Sequence, residues 1–259
     1  MLLAVDIGNI HIVWGVYRDD QLLCHWRTTT GRHQTPDEFC LLLQQAAAAG
    51  QMPPDPCSGA VVASVVPSLT GAVVAALTRQ LGQEPLVLDG RQPPPVKVEY
   101  ETPWEIGPDR IANGVAAYSL YGGPVIVADF GTATVFDVVS ADGTYLGGAV
   151  APGLITSAEA LYQRAARLRA VELFTPGRAI GRSTAEGIRA RLILGWAGMA
   201  DEMIDRIRRE LGAPAQAILT GEFGHMVWGV CSRVDAFHPL LTLEGLRIIH
   251  QRLGARAVR

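Results

Sequence analysis

Asp6-Ile7-Gly8-Asn9, near the start of the chain, and Asp129-Phe130-Gly131-Thr132-Ala133-Thr134, near its middle, share one pattern: an apolar run, a carboxylate, one residue, a glycine. The pattern suits phosphate chemistry. A carboxylate at a strand end can hold a magnesium ion or its water, and the glycine lets backbone N–H groups approach a phosphate with no Cβ in the way. In the second copy Thr132 adds a hydroxyl for a phosphate oxygen, and Asp129 a carboxylate for a cation. Each segment alone also reads as a plain hairpin turn. Two such loops opposed across a cleft are a physical means of gripping a nucleoside triphosphate. A third segment, Gly107-Pro108-Asp109-Arg110, leads into Ile111-Ala112-Asn113. A carboxylate there, near a helix N-terminus, can accept the proton of an attacking hydroxyl, and Arg110 can bind an anionic group or a transferring phosphoryl. Taken alone, the plainer reading of Asp109, an ordinary first-turn aspartate paired with its neighbour, prevails.

The rest of the composition narrows how phosphate would be held. Of 22 basic residues only Lys97 is a lysine, and no G-x-x-x-x-G-K-[ST] loop is present, so backbone N–H groups, arginine and a metal ion must do that work. The net charge is −3 with both signs interspersed, unlike the clustered basic face of a nucleic-acid binder. Cys24, Cys40, Cys57 and Cys231 are scattered, without a C-x-x-C pair, and read as free thiols in a reducing compartment. No apolar run approaches 18 residues, and residues 1–5 are too short for a signal-peptide core. The expectation is a cytoplasmic enzyme or binding protein with no membrane and no nucleic-acid partner.

Elements must place these loops. Apolar runs predict strands at 2–5, 12–17 and 22–29, then a helix over 35–49 with Thr35 as cap, Pro36 in its first turn, and Asp37 and Glu38 at its positive end. A strand at 60–66, a helix at 68–81 stopped by Gly82, and a strand at 86–88 follow; 51–56 is a Pro-rich loop and 92–95 a stiff Pro-rich connector. The pattern restarts with strands at 125–128, 134–140 and 144–150, turning at Ala141-Asp142-Gly143. Helices are predicted at 154–168 and 183–211, a strand at 217–219 and a last helix at 243–253. In the long helix Ile188, Leu192, Trp196, Met199, Met203, Ile207 and Leu211 mark one buried face, serving either the core or an interface. The order amounts to an internal duplication within an α/β chain: two βββαβα-type halves, 1–115 and 116–259, with a central cleft and a D-x-G turn in each half.

Read together and in order, D-I-G-N, G-P-D-R-I-A-N, D-F-G-T-A-T, Y-L-G-G-A-V-A-P-G-L and Ile180-Gly181-Arg182-Ser183-Thr184 resemble the pattern of the type III pantothenate kinases over residues 2–249. The resemblance implies an actin-like ATPase (ribonuclease H-like) fold. It implies phosphorylation of the primary hydroxyl of pantothenate by ATP to 4'-phosphopantothenate, the first step of coenzyme A biosynthesis. A homodimer is implied too, with a need for magnesium and a monovalent cation, potassium or ammonium. Carried over, Asp6, Ile7, Gly8, Asn9, Ile10, His11, Ile12 and Val13 lie at the ATP phosphates, with Thr132 also facing ATP. Tyr100, Gly107, Pro108, Asp109, Arg110 and Thr184 meet pantothenate, Asp109 is the base, and Asp129 lies at the monovalent-cation site.

Two departures bear on nucleotide handling. The family usually continues D-x-G-N with Thr or Ser and another polar residue, where this chain has Ile10, His11 and Ile12. Loss of one hydroxyl contact to a charged phosphate costs about 1.5–3 kcal/mol. The family's late T-G-G is here Thr220-Gly221-Glu222. These residues motivate a second reading, a non-catalytic or altered-specificity paralogue acting as an accessory or regulatory factor. A third, a kinase of another small hydroxyl compound, rests on the breadth of chemistry that one fold supports.

Overall fold

The computed structural model describes residues 1–53, 55, 57–88, 96–165 and 168–257, with 254–257 described by their backbone. The connector read at 92–95 lies outside the described residues, and so does part of the 51–56 loop.

The first sheet is built from β1 (Leu2–Ile7), β2 (His11–Arg18) and β3 (Gln21–Thr29), an antiparallel meander. α1 (Pro36–Ala48) then leads to β4 (Gly59–Ser64), which pairs parallel to β1, and α2 (Pro67–Leu81) leads to β5 (Leu86–Leu88), parallel to β4. The order across the sheet is β3-β2-β1-β4-β5. α1 starts where its sequence says it should: Thr35 and Glu38 form a reciprocal capping box that satisfies two N-terminal N–H groups. α2 stops at Gly82, whose φ of 72° suits the left-handed cap. Phe39 and Leu43 of α1 and Leu69, Val73 and Leu77 of α2 bury against Val5, Trp14 and Val62 of the sheet.

After α3 (Pro108–Tyr121) the pattern repeats. β6 (Val125–Phe130), β7 (Ala133–Val139) and β8 (Tyr145–Pro152) form the second meander. α4 (Leu154–Arg164) and α5 (Thr184–Leu211) precede β9 (Gln216–Thr220), parallel to β6, and α6 (Gly224–Trp228) precedes β10 (Ala236–Phe237), parallel to β9. Read outward from the meander, the order β8-β7-β6-β9-β10 is that of the first sheet. The likeness extends to single residues. β1 and β6 have the same burial pattern, buried throughout but for one partly exposed residue, which in each is the aspartate, Asp6 or Asp129.

The chain forms two compact units: Met1–Lys97, Glu101–Ala116 and Thr242–Arg259 in the first, Val98–Tyr100 and Ala117–Leu241 in the second. The final helix α7 (Leu241–Ala257) thus belongs largely to the first unit. It crosses α3 where Gly245 meets Ala112 so closely that a Cβ would overlap the Ala112 carbonyl, and Thr242 donates a hydrogen bond to Asn113 Oδ1 at 2.9 Å.

The α5 periodicity belongs to a core helix. Ile188, Leu192 and Trp196 are buried in the second unit's core, and Met199, Met203, Ile207 and Leu211 pack against it. The helix predicted at 154–168 ends at Arg164, because Ala165 turns to extended angles (φ −111°, ψ 92°). α6 and β10 have no counterpart in the sequence reading; at five and two residues they are too short to show a period.

Candidate active site

β1 and β4 run parallel, so their C-terminal ends share one edge of the first sheet, where ligands of open α/β sheets commonly bind. At that edge the chain turns through Gly8-Asn9-Ile10 into β2. The Gly8 N–H donates to the His11 carbonyl at 3.0 Å, and a Cβ on Gly8 would stand only 2.9 Å from that oxygen, so the turn requires glycine. Thr30, just past β3, holds the loop from the other side. Its hydroxyl donates to the Gly8 carbonyl at 2.7 Å and its N–H to the Ile10 carbonyl at 2.9 Å.

The second sheet repeats this with one residue fewer. Ile7 pairs with Ile12 across the first turn, and Phe130 with Thr134 across the second. The Gly131 N–H donates to the Ala133 carbonyl at 3.0 Å. The Thr132 carbonyl accepts from the Gly153 N–H at 3.0 Å and from the Thr156 hydroxyl at 2.8 Å. Asp129 is walled by Gly221, whose φ is +89° and where a Cβ would overlap the Asp129 carboxylate. The Phe223 N–H, donating to the Phe130 carbonyl at 2.9 Å, fixes the Gly221-Glu222 turn against the end of β6. Glu222 therefore sits in the turn that contacts Asp129.

Asp109 lies in the first turn of α3, in the first unit, as its sequence context anticipates. Its Oδ1 accepts the Arg110 N–H at 2.9 Å, and Gly107 is tied to this placement, since a Cβ there would overlap the Asp109 carboxylate. Asp109 keeps partial contact with solvent, but protein atoms crowd its carboxyl, and this desolvation pushes its pKa up against the lowering influence of the Arg110 N–H and guanidinium. A carboxylate raised toward neutrality is a better proton acceptor.

Tyr100 belongs to the second unit. It stands edge-on to Tyr145 with ring centroids 6.4 Å apart, and Tyr145 in turn donates to the buried Asp137 at 2.6 Å. Gly147, at φ +115°, leaves room for the Tyr100 ring. Thr184, also in the second unit, is exposed at the start of α5, where Ser183 caps the helix by accepting the Glu186 N–H. The supporting residues Thr30, Thr156 and Asp137 were missed by the sequence reading, whereas Tyr145 opens the Y-L-G-G-A-V-A-P-G-L run already singled out. For Thr30 the sequence leaves one trace, the run Thr28-Thr29-Thr30 across the end of β3.

Comparison with known proteins decides the family. The model of the type III pantothenate kinases matches residues 2–206. The chain is 44% identical over 252 residues to the type III pantothenate kinase of Moorella thermoacetica, covering 97% of this chain and 99% of that protein. It is 43% identical over 251 residues to that of Roseiflexus sp. (strain RS-1), covering 97% and 98%. The chain belongs to the type III pantothenate kinase family. The family's activity is phosphorylation of pantothenate in coenzyme A biosynthesis, and as kinases its members use ATP. An inorganic polyphosphate/ATP-glucomannokinase from Arthrobacter sp. strain KM superimposes with a TM-score of 0.51 at 17% identity, covering 97% of this chain and 98% of that one. That likeness bears on fold alone: duplicated halves, each with a five-stranded mixed sheet, are the actin-like ATPase architecture. Among the described residues no helix is long and apolar enough to cross a membrane.

Proposed function

We propose that this type III pantothenate kinase uses Asp109 as the base that takes the proton of the pantothenate primary hydroxyl. The hydroxyl oxygen bonds to the terminal phosphorus of ATP as the bond to ADP breaks, and the proton passes to the carboxylate. The supporting observation is Asp109 itself: a carboxylate of raised pKa in the first turn of α3, with Gly107 leaving it room. Arg110 would neutralise charge on the substrate or on the transferring phosphoryl. Gly107 and Pro108, and in the second unit Tyr100 and Thr184, are read as pantothenate contacts. The turn from Asp6 to Val13, and Thr132, are read as contacts of the ATP phosphates.

Asp6 would hold magnesium and Asp129 a monovalent cation, potassium or ammonium. Each is the partly exposed carboxylate near the end of its strand, and a single carboxylate completed by water and phosphate oxygens is a donor set that such hard cations accept. When bound, such cations neutralise the charge of the phosphates. A homodimer and a cytoplasmic location complete the reading; the four free cysteines accord with the latter.

ADP release on pantothenate, measured with and without potassium, tests it. Turnover that depends on pantothenate and rises with potassium is expected, and a folded protein without turnover would sink the reading. Ile10 and Glu222 favour a second reading, a non-catalytic or altered-specificity relative. A panel of small hydroxyl substrates in the same assay separates the two.

A further inference from the structure

We propose that Thr30 and Thr156 are positioning residues that lock the two glycine turns in their phosphate-binding geometry. The inference rests on the kinase reading above and adds to it the residues that aim the loops. In a trans peptide the C=O and the following N–H point in opposite directions. A hydroxyl that holds the Gly8 carbonyl at 2.7 Å therefore turns the Asn9 N–H away from Thr30. A hydroxyl that holds the Thr132 carbonyl at 2.8 Å does the same to the Ala133 N–H. Such N–H groups serve anions only if they are already aimed when the ligand arrives.

An ordinary strand-end hydrogen bond does not account for the arrangement. In each unit a main-chain N–H already extends the meander onto the turn: Thr30 to the Ile10 carbonyl at 2.9 Å, Gly153 to the Thr132 carbonyl at 3.0 Å. The hydroxyl is a second tie. It comes from non-equivalent places, the end of β3 in one unit and the first turn of α4 in the other, yet it lands on a carbonyl of the glycine turn both times. What recurs is the fixed turn, not the residue that fixes it.

The test compares Thr30→Val, which keeps the shape and the N–H, with Thr30→Ser, which keeps the hydroxyl. ATP affinity is read by calorimetry, KM for ATP and for pantothenate by turnover, and folding by Tm. Thr30→Val is expected to weaken ATP binding and raise KM for ATP by about 3–10-fold with KM for pantothenate unchanged, and Thr30→Ser to restore both. Thr156→Val, at an exposed position, is expected to give a smaller rise of the same kind and guards against a folding defect at Thr30. Wild-type ATP affinity in both valine variants, or equal losses for ATP, pantothenate and Tm that serine does not restore, would overturn the clamp alone. A wild-type chain that binds no ATP would remove the kinase reading and the clamp with it.

Discussion

Asp109 carries opposite consequences for activity and stability. Burial raises its pKa, so the folded state binds its proton more tightly than the unfolded chain does. Stability from this group is therefore full below the unfolded carboxyl pKa and falls as pH rises through the folded value. Catalysis runs the other way, because only the ionised carboxylate accepts a proton. In the Asp109→Asn protein we expect kcat to fall by about 10²–10⁴-fold. Its Tm at pH 7 should exceed that of the wild type, and the difference should vanish in acid. The wild-type kcat/KM should drop toward acid with a limb above the ordinary carboxylate range. A pH series of turnover beside thermal melts checks all three, and a lower Tm for the asparagine variant at pH 7 would contradict the burial argument. The candidate base became legible in sequence only through the family resemblance, since Gly107-Pro108-Asp109-Arg110 alone reads as a plain helix start. What raises its pKa was not, because desolvation of the carboxyl is a product of folding that the local run does not record.

At the scale of elements, the segment Tyr145-Leu146-Gly147-Gly148 through Gly153 shows how a motif read as a string acquires physical reasons. Gly147 takes a positive φ beside Tyr100, at a point where the β7–β8 register shifts. A Cβ on Gly148 would overlap the Phe136 carbonyl, and one on Gly153 would overlap the carbonyls of Gly131 and Thr132. Strand periodicity located β8 but is silent on close approach, which depends on the neighbouring strand and turn. Gly153→Ala should push the Thr132 turn off its position, at an overpacking cost of about 1–3 kcal/mol. We expect a lower Tm together with a raised KM for ATP, while Gly177→Ala, where an added Cβ meets nothing, should change neither. Melting curves and ATP titrations of the two variants measure the contrast, and equal behaviour would show that the turn yields freely.

For the whole chain, the duplication was legible because each D-x-G follows the first strand of a meander, and the same order and burial pattern recur in both sheets. The return of α7 to the first unit was not legible, since amphipathic spacing marks a helix as packed without saying against what. Its attachment is extensive. Leu243, Leu246 and Ile249 are essentially buried, Gly245 fits against Ala112, and the Tyr17 ring lies 5.9 Å from the Arg247 guanidinium, which is itself paired with Glu244. Burying a large aliphatic side chain contributes about 1.5–3 kcal/mol, so three of them amount to roughly 5–9 kcal/mol, comparable to the whole stability of a domain. A chain ending at Leu241 should therefore lose the cooperative unfolding of its first unit, although every strand of both sheets is retained. Amide exchange by mass spectrometry checks this. Protection in β1, β2 and α3 should collapse, while β6, β7 and α5, whose core lies in the second unit, should stay protected. Uniform loss in both units would mean that neither folds without the other, and the two sheets would then be a single cooperative body despite their separate cores.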